Sequence, residues 1–300
     1  PKASYSETEN RYLASLPEFS FEGLLNGDFT SDFESWVSDT FPFRDTWIGL
    51  KSYIELLEGR KDTGGVYVTK DGYLIEMFTE ADNELYLKNL DYVRQFKESF
   101  EKNGGSFDFM LVPTAAEVLK DKIGQSADIS QKELLSMASD ILSCDCLSEL
   151  SAHADEYIYY KTDHHWTSTG AYLAYCKAAE HLNFSPIERM AFSISRYDGF
   201  YGTSYAKSAL WGEKPDHVEV WKYPAAVTVE IHDDNKQEVI TSNSMFFWER
   251  LSEPDMYQVF LDGNHSLVKI TNHSQNQDKK LLVIKDSFGH AITPFLANHY

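Results

Sequence analysis

The sequence predicts an α/β fold, a three-layer α/β/α core with a mostly parallel sheet, preceded by a helical extension and carrying a β-rich insertion. Short apolar runs at residues 107–112 and 281–284 have the length and composition of buried strands. Segments with helical periodicity, such as residues 84–102 and 168–182, alternate with these runs, as in sheets covered by helices on both faces. The 300 residues are enough for one large domain of this class with insertions.

The first part of the chain, residues 6–58, has the pattern of amphipathic helices. Apolar residues recur at i, i+4, i+7 and i+8 from Phe29 to Val37 and would form one face of a helix. Pro42 ends this pattern, because proline disfavours helical backbone in the residue before it. A second amphipathic stripe follows through Leu57. We therefore predict a helical extension over residues 1–60.

After Gly64 and Gly65 the apolar period changes from 3.6 to 2, which predicts a β-hairpin with strands near 66–68 and 73–75. We assign residues 61–300 to the core domain, with the β-rich insertion over about 192–250, where the strands are short and turn-rich. The alternating elements expected in the core are helices near 84–102, 130–142, 168–182 and 288–297, and strands at 107–112, 157–160 and 281–284.

Charge and composition exclude several classes of function. The formal net charge of −20 argues against nucleic acid as a partner, because phosphates attract basic patches. It also disfavours a polybasic contact with anionic lipids. No apolar stretch in the sequence approaches the length of a membrane span, and no signal-peptide pattern is present. Since the sequence starts at Pro1 rather than at methionine, we expect an upstream signal or anchor.

The three cysteines do not suggest chemistry. Cys144 and Cys146 form a C-x-C pair, and Cys176 falls in a predicted helix. An odd number makes a disulfide scaffold implausible, and the spacing lacks the C-x-x-C pairs of structural zinc sites. We predict buried thiols or one incidental bridge.

The first place where chemistry is expected is the loop between the predicted strand 157–160 and the helix after it. Asp163 and His165 are two residues apart, so the carboxylate can orient the imidazole and stabilise its protonated form. Spacing alone leaves open that Asp163 is only a turn or capping residue and that the histidines pack against Trp166. His164 is an alternative to His165 as the base.

The second place is Ser287, which follows the apolar run 281–284 and opens the next predicted helix. A nucleophile there would lie beside unpaired helix N-terminal amides that can bind a developing oxyanion. Serine is also a common helix N-cap, which is the alternative. A serine hydroxyl needs a base and an orienting carboxylate, and this chain places all three groups at predicted strand ends. Their order along the chain is no objection, since triads are identified by geometry.

These motifs resemble the DHHW proteins of Gram-positive bacteria, which are similar to the alginate O-acetyltransferases AlgJ and AlgX and their SGNH-hydrolase-like folds. The block at residues 162–172, which contains Asp-His-His-Trp, carries the resemblance most specifically. Further similar blocks follow in order along nearly the whole chain, at residues 9–17, 41–44, 65–74, 260–264 and 285–288. The family usually continues for another strand and helix beyond the region that ends here at Tyr300.

The resemblance implies an SGNH-hydrolase-like core with Ser287 as nucleophile and Asp163 and His165 as the acid–base pair. It also makes the loop at 262–264 a source of oxyanion donors, with Asn264 favoured over Gly263, although a turn role for Asn264 stays open. His164 and Trp166 are the remaining expected substrate contacts, and no metal or cofactor is expected.

The function implied is extracytoplasmic O-acetylation of a polysaccharide, with a membrane-bound O-acyltransferase as the possible acetyl donor. A carbohydrate acetyl esterase of the same fold and a non-catalytic glycan-binding relative are the alternatives. The letters Asp-His-His also occur in metal-dependent phosphoesterases, but the further ligand motifs of those enzymes are not evident. Aromatic residues in or beside the insertion could stack on sugar rings or pack in the core: Tyr201, Tyr205, Trp211, Trp221 and Trp248.

Overall fold

The computed structural model describes residues 5–6, 11–78, 80–124, 130–232, 239–274 and 279–300. Across these ranges the protein has a mixed α/β architecture, in which helices pack around small antiparallel sheets. No helix in these ranges is both long and apolar enough to cross a membrane.

The N-terminal part is largely helical, as predicted, but it begins with a short strand pair rather than a helix. Its elements are β1 (Tyr5–Ser6), β2 (Arg11–Tyr12), α1 (Phe21–Asn26), α2 (Asp28–Thr40) and α3 (Arg44–Leu57).

The helices α1 and α2 bury no residue, whereas α3 contacts the rest of the protein at Gly49. A Cβ atom at Gly49 would lie 2.2 Å from the ring of Trp211, so only glycine allows this close approach. The helical extension is therefore attached mainly through α3.

A three-stranded antiparallel sheet follows, with the order β3 (Asp62–Thr63), β4 (Val66–Val68) and β5 (Leu74–Glu76). The predicted hairpin is confirmed to within one residue. The Leu74 N–H donates to the Lys161 carbonyl over 2.7 Å and joins this sheet to the loop before Asp163.

The middle of the chain is helical, and its longest helices are those that the periodicity predicts. The predicted helix at 130–142 is shorter than expected. These helices are α4 (Asn83–Lys102), α5 (Ala115–Val118), α6 (Lys120–Ile123), α7 (Gln131–Met137), α8 (Cys146–Ala152) and α9 (Ser168–Leu182).

Two antiparallel sheets form in the second half, one from β6 and β7 and one in the order β10-β8-β9. Most of these strands lie in the predicted β-rich insertion. Short 3₁₀ turns cover Arg189–Ala191, Trp248–Ser252 and Met256–Val259. The strands and helices are β6 (Ser193–Phe200), α10 (Thr203–Ser208), β7 (Asp216–Lys222), β8 (Val227–His232), β9 (Ile240–Ser242), β10 (Leu267–Asn272) and α11 (Gly289–Leu296).

The mostly parallel sheet is not found among the described residues, where every strand pair is antiparallel. The runs 107–112 and 281–284 form no strands, and 157–160 contributes one bridge, between Tyr159 and Trp166. Residues of the first two runs line the same cavity of about 510 Å³. A strand exists only by pairing with a neighbour, and here the two apolar runs face an open space instead.

The largest hydrophobic core supports the region that carries the predicted site. It contains Tyr159, Trp166, Tyr175 and Phe295, and it is formed where α9 packs against α11. The residues immediately before α9 and α11 are the two loops of the predicted site, so the packing of these helices fixes both loops relative to each other.

Candidate active site

The chain just before Asp163 is held by the buried carboxylate of Asp216, at the start of β7. This carboxylate accepts hydrogen bonds from the backbone N–H groups of Lys161 (3.0 Å) and Thr162 (2.6 Å) and from the Thr162 hydroxyl (2.6 Å). The Tyr157 hydroxyl donates to it as well. The arrangement fixes the backbone direction at the point where the site loop begins.

The loop then turns back on itself and leads directly into α9. The Tyr160 N–H donates to the His165 carbonyl over 3.2 Å, and the Thr167 N–H donates to the Ile158 carbonyl over 2.9 Å. The Thr167 hydroxyl accepts from the Gly170 N–H and caps the helix. Asp163 and His165 therefore lie in one short, closed turn.

Both oxygens of the Asp163 carboxylate are occupied. Oδ1 accepts from the His165 backbone N–H at 2.9 Å and lies 2.6 Å from Nδ1 of the same residue. Oδ2 accepts from the backbone N–H of Thr203 at 2.8 Å and from its hydroxyl at 3.1 Å. Burial alone would raise the pKa of Asp163. The charge and hydrogen bond of His165, the charge of His164 and the Thr203 N–H outweigh it, so this pKa lies well below its usual value.

His165 connects this carboxylate to the predicted nucleophile. Its Nε2 lies 2.7 Å from the Oγ atom of Ser287. Because a carboxylate only accepts hydrogen bonds, the proton of the neutral ring belongs on Nδ1, and Nε2 is free to accept from the serine hydroxyl. The ring stacks on Tyr257 at a centroid distance of 4.0 Å and packs against Phe288 at 5.0 Å, which fixes its plane.

Ser287 lies in the turn immediately before α11 and does not cap that helix with its side chain. Neighbouring groups hold the turn: the Asp286 carboxylate accepts from the Phe288 N–H at 3.0 Å, and the Tyr257 hydroxyl donates to the Ser287 carbonyl at 3.2 Å. Within the described part of the chain, the Ser287 N–H has no hydrogen-bond acceptor. It remains available for a ligand.

Positive φ angles occur at three successive residues, Leu261 (59°) just before the predicted oxyanion loop and Asp262 (63°) and Gly263 (82°) within it. The first two are uncommon for residues with a Cβ atom and mark a constrained backbone. Arg250 Nε donates to the Asp262 carboxylate at 2.6 Å and holds the loop. The next side chain, Asn264, is exposed, and its Oδ1 lies 2.9 Å from Nε2 of His290.

The other two predicted substrate contacts have different surroundings. His164 is partly exposed, and its Nδ1 lies 2.5 Å from the Thr203 hydroxyl. Burial lowers its pKa. Trp166 has no exposed surface, and its indole N–H donates to the Phe288 carbonyl at 3.0 Å. Trp166 therefore supports the nucleophile turn, because a side chain with no exposed surface cannot touch a ligand in this conformation.

The same loop offers the one metal-ligand cluster among the described residues. Ligand atoms of Asp163, His164 and His165 lie within 4.8 Å of one another. The Asp163 carboxylate is already hydrogen-bonded to His165, however, and Nε2 of His165 pairs with Ser287. A metal ion bound here would have to displace these hydrogen bonds. The geometry therefore fits a hydrogen-bonded serine hydroxyl better than a metal site.

The aromatic residues that could stack on sugars fall into two groups. Trp221 is buried among Phe192, Tyr172 and Phe295 and belongs to the core. Tyr201, Trp211 and Trp248 are between 38% and 47% exposed, and the ring of Tyr205 lies tilted against that of Tyr201, at 4.3 Å between centroids.

Several residues that shape the site are not indicated by sequence. A Cβ atom at Gly202 would lie 2.2 Å from Asp163, so glycine is needed for the Thr203 N–H to reach the carboxylate. Asp216 and Tyr257 hold the two loops from elements distant in sequence. A glycine-threonine pair after a strand and an acidic residue at the start of one are too common to serve as signals.

The chain resembles known proteins over most of its length. The sequence model described as "DHHW protein" matches residues 9–95 and 58–300. Over 163 residues the chain is 26% identical to a protein of Pseudomonas syringae pv. tomato named probable alginate O-acetylase AlgJ. The matched region covers 50% of this chain and 42% of that protein. The chain therefore spans less than half the length of this curated relative.

Two solved structures share the fold. A DHHW family protein from Eubacterium siraeum is 27% identical, with a TM-score of 0.65 over 79% of this chain and 80% of that one. PatB1 of Bacillus cereus is 16% identical, with a TM-score of 0.63 over 78% of this chain and 84% of that one. With its sequence matched from residue 9 to residue 300, the chain belongs to the DHHW protein family.

Proposed function

We propose that this protein is a serine-dependent O-acetyltransferase that acts on a polysaccharide outside the cytoplasm through an acyl-serine intermediate. The observation that carries the proposal is the line of hydrogen bonds from Asp163 through His165 to Ser287, with distances of 2.6 and 2.7 Å. Similarity to proteins named as probable alginate O-acetylases supports acetyl transfer to a sugar hydroxyl. An acetyl esterase would use the same residues with water as the acceptor.

In the first half-reaction, Nε2 of His165 takes the hydroxyl proton of Ser287 while Oγ attacks the acetyl carbonyl carbon. The imidazolium that forms is stabilised by the adjacent carboxylate of Asp163. Negative charge develops on the carbonyl oxygen, and we assign the Ser287 N–H and the side-chain amide of Asn264 as its donors. The bond to the leaving oxygen then breaks, and His165 returns the proton to that oxygen.

In the second half-reaction, an acceptor hydroxyl loses its proton to His165 and attacks the acetyl carbon of the acyl-serine. Collapse of this second tetrahedral intermediate releases Ser287, which regains its proton from His165. A sugar hydroxyl as acceptor gives an acetylated polysaccharide, and water gives hydrolysis. Whether transfer or hydrolysis dominates depends on which acceptor reaches the acyl-serine first.

The acetyl donor of an extracytoplasmic transferase has to come from the cytoplasm, where acetyl-CoA is made. We therefore propose a membrane-bound O-acyltransferase as the partner that passes acetyl groups outward. Polysaccharide acetylation should fall when either protein is deleted in the cell. A rise in acetylation after deletion of this protein alone would instead identify an esterase.

The direct test is Ser287→Ala, assayed with an activated acetyl ester. We expect kcat to fall by several orders of magnitude, since removing a nucleophile that acts together with its base eliminates the covalent route. An arylsulfonyl fluoride should label the wild type at Ser287 and fail to label the variant, as seen by mass spectrometry.

The matched control is Ser252→Ala, which removes an exposed hydroxyl and should keep wild-type activity. Thermal unfolding of all three proteins checks that the fold is intact. Near wild-type turnover by Ser287→Ala would rule out the acyl-serine mechanism.

A further inference from the structure

Three polar side chains form a continuous line behind the nucleophile. Nζ of Lys285 lies 2.7 Å from Nδ1 of His290, and Nε2 of His290 lies 2.9 Å from Oδ1 of Asn264. His290 is only 3% exposed, and its backbone N–H donates to the Ser287 carbonyl at 3.1 Å. The line therefore connects the oxyanion loop to the first turn of α11 without using Asp163 or His165.

The chemistry of the three groups fixes the direction of each hydrogen bond. A lysine ammonium group can only donate, so Nδ1 of His290 accepts and carries no proton. A neutral imidazole then has its proton on Nε2, which donates to the oxygen of the Asn264 amide. The amide oxygen faces His290, and the NH₂ group faces away. Within the described residues this NH₂ group has no acceptor.

The protonation states required for this direction are those expected at neutral pH. Burial lowers the pKa of His290 to about 3, helped by the charge of Lys285 and by those of His165 and His265 when they are protonated, so the ring is neutral at pH 7. Burial also lowers the pKa of Lys285 to about 8, against the opposing effect of Asp286, so the ammonium form prevails at pH 7.

Side chains that orient the Asn264 amide are needed, because the backbone of the loop does not fix the rotation of this amide about its side-chain bond. Arg250 and the positive φ angles hold the backbone at Asp262 and Gly263, but the side chain of Asn264 is exposed. The oxygen and nitrogen of an amide have nearly the same shape, so an exposed amide can rotate by 180° at little steric cost. In the rotated form the oxygen would face the developing oxyanion and repel it.

We propose that Lys285 and His290 are positioning residues that hold the Asn264 amide with its NH₂ group free to donate to the oxyanion. The inference rests on the proposed acyl-serine chemistry, because it assigns to Asn264 a donor role in that reaction. Gly263, Asn264, Lys285 and His290 line one cavity of about 390 Å³, so the amide and both positioning residues border the same open space.

The first test combines Lys285→Met with Asn264→Ala and measures kcat and KM for an activated acetyl ester at pH 7. Loss of one oxyanion donor costs about 10²- to 10³-fold in kcat, which is the effect expected of Asn264→Ala. Lys285→Met removes the donor to Nδ1, and we expect roughly a tenfold loss in kcat with KM unchanged. In the Asn264→Ala background, Lys285→Met should cause no further loss, because the amide that it orients is gone.

Lys279→Met is the matched control, since it removes an exposed lysine from the same segment and should leave kcat unchanged. A second variant, Asn264→Asp, keeps the acceptor for His290 but replaces the NH₂ donor with an oxygen. It should lose as much activity as Asn264→Ala. Nitrogen-15 NMR of the histidine rings should show His290 protonated on Nε2 in the wild type and Asn264→Asp, and a mixture of tautomers in Lys285→Met.

Equal losses from Lys285→Met in both backgrounds, or no loss in either, would overturn the inference. So would wild-type activity of Asn264→Asp, or a His290 ring protonated on Nδ1 in the wild type. Ser287→Ala, measured beside these variants, separates the two proposals. If that variant stays active, the acyl-serine mechanism is wrong; if it is inactive while the cycle is additive, only the positioning role is wrong.

Discussion

Two adjacent histidines of one loop have different partners, and this difference separates their roles. His165 lies between the Asp163 carboxylate and the Ser287 hydroxyl, at 2.6 and 2.7 Å. His164 bonds to the Thr203 hydroxyl, its Nδ1 lies 3.9 Å from the carboxylates of Asp163 and Glu76, and its ring lies 3.8 Å from that of His165 between centroids. We expect His165→Ala to reduce kcat for an activated acetyl ester by about 10⁴-fold or more. His164→Ala should cost less than about tenfold, because it removes packing and one hydrogen bond.

The two histidine variants serve as controls for each other in the same assay. Activity that survives in His165→Ala and disappears in His164→Ala would transfer the base role to His164. Complete loss in both, with wild-type activity that depends on added manganese, would favour a metal-dependent reaction at the same loop.

Sequence is informative about the residues that carry the chemistry and much less about those that orient them. Asp163 and His165 share one loop, so their spacing predicts a candidate pair, while spacing alone leaves open a turn or capping role for Asp163. Ser287 is connected to them by its place at a second predicted strand end and by the family resemblance. The structure places its hydroxyl within hydrogen-bond distance of His165, although its catalytic role stays a prediction. Thr203 bonds to Asp163 and His290 bonds to Asn264, and the partners of each pair lie far apart in sequence. No local sequence pattern predicts such contacts.

Among the elements, the start of β7 holds the site loop without touching the reacting groups. The carboxylate of Asp216 accepts hydrogen bonds from the N–H groups of Lys161 and Thr162. A side-chain amide at this position would place its NH₂ donor against one of these N–H donors. We expect Asp216→Asn to lower the free energy of unfolding by about 1–3 kcal/mol and to reduce kcat as well. Urea unfolding and the ester assay measure the two effects.

Asp198→Asn is the matched control, because Asp198 is an exposed carboxylate on the neighbouring strand β6 that pairs only with Arg196 among its described partners. It should change the free energy of unfolding by less than about 0.5 kcal/mol. An unfolding midpoint for Asp216→Asn equal to that of the wild type would show that the loop keeps its geometry without this carboxylate.

The same contrast between local and distant contacts decides which elements could be predicted. The helices α4 and α9 match their predicted bounds closely, because helical periodicity and caps are local properties of the chain. The runs 107–112 and 281–284 have the composition of strands but do not pair, since strand formation depends on a partner elsewhere in the chain. The predicted domain boundary near residue 60 stays a prediction.

The stability of the whole molecule should depend on pH through His290. In the native state this ring stays neutral down to a pKa of about 3, whereas a histidine in the unfolded chain takes up its proton near the ordinary pKa of 6.5. The unfolded state therefore binds more protons between these values, so stability rises with pH there and falls on acidification. We expect His290 to contribute a slope of about 1.4 kcal/mol per pH unit between roughly pH 6 and 4.

Urea unfolding at several pH values measures this slope in the wild type and in His290→Gln, which should be less sensitive to acid. His181→Gln, at an exposed position, is the matched control. A slope that is the same in all three proteins would show that His290 is protonated in the folded state over this range.

The unpaired run 281–284 has a consequence for the protein in concentrated solution. Leu282 and Ile284 are 68% and 79% exposed, and an exposed apolar run outside the described sheets is a segment on which a second molecule can add a strand and begin to aggregate. Lysines stand on both sides of the run, at positions 279 and 285. Two copies aligned in register would bring these like charges together, and we expect these lysines to act as gatekeepers against association. Their repulsion weakens as salt screens it, and the protein should therefore be most resistant to aggregation at low ionic strength.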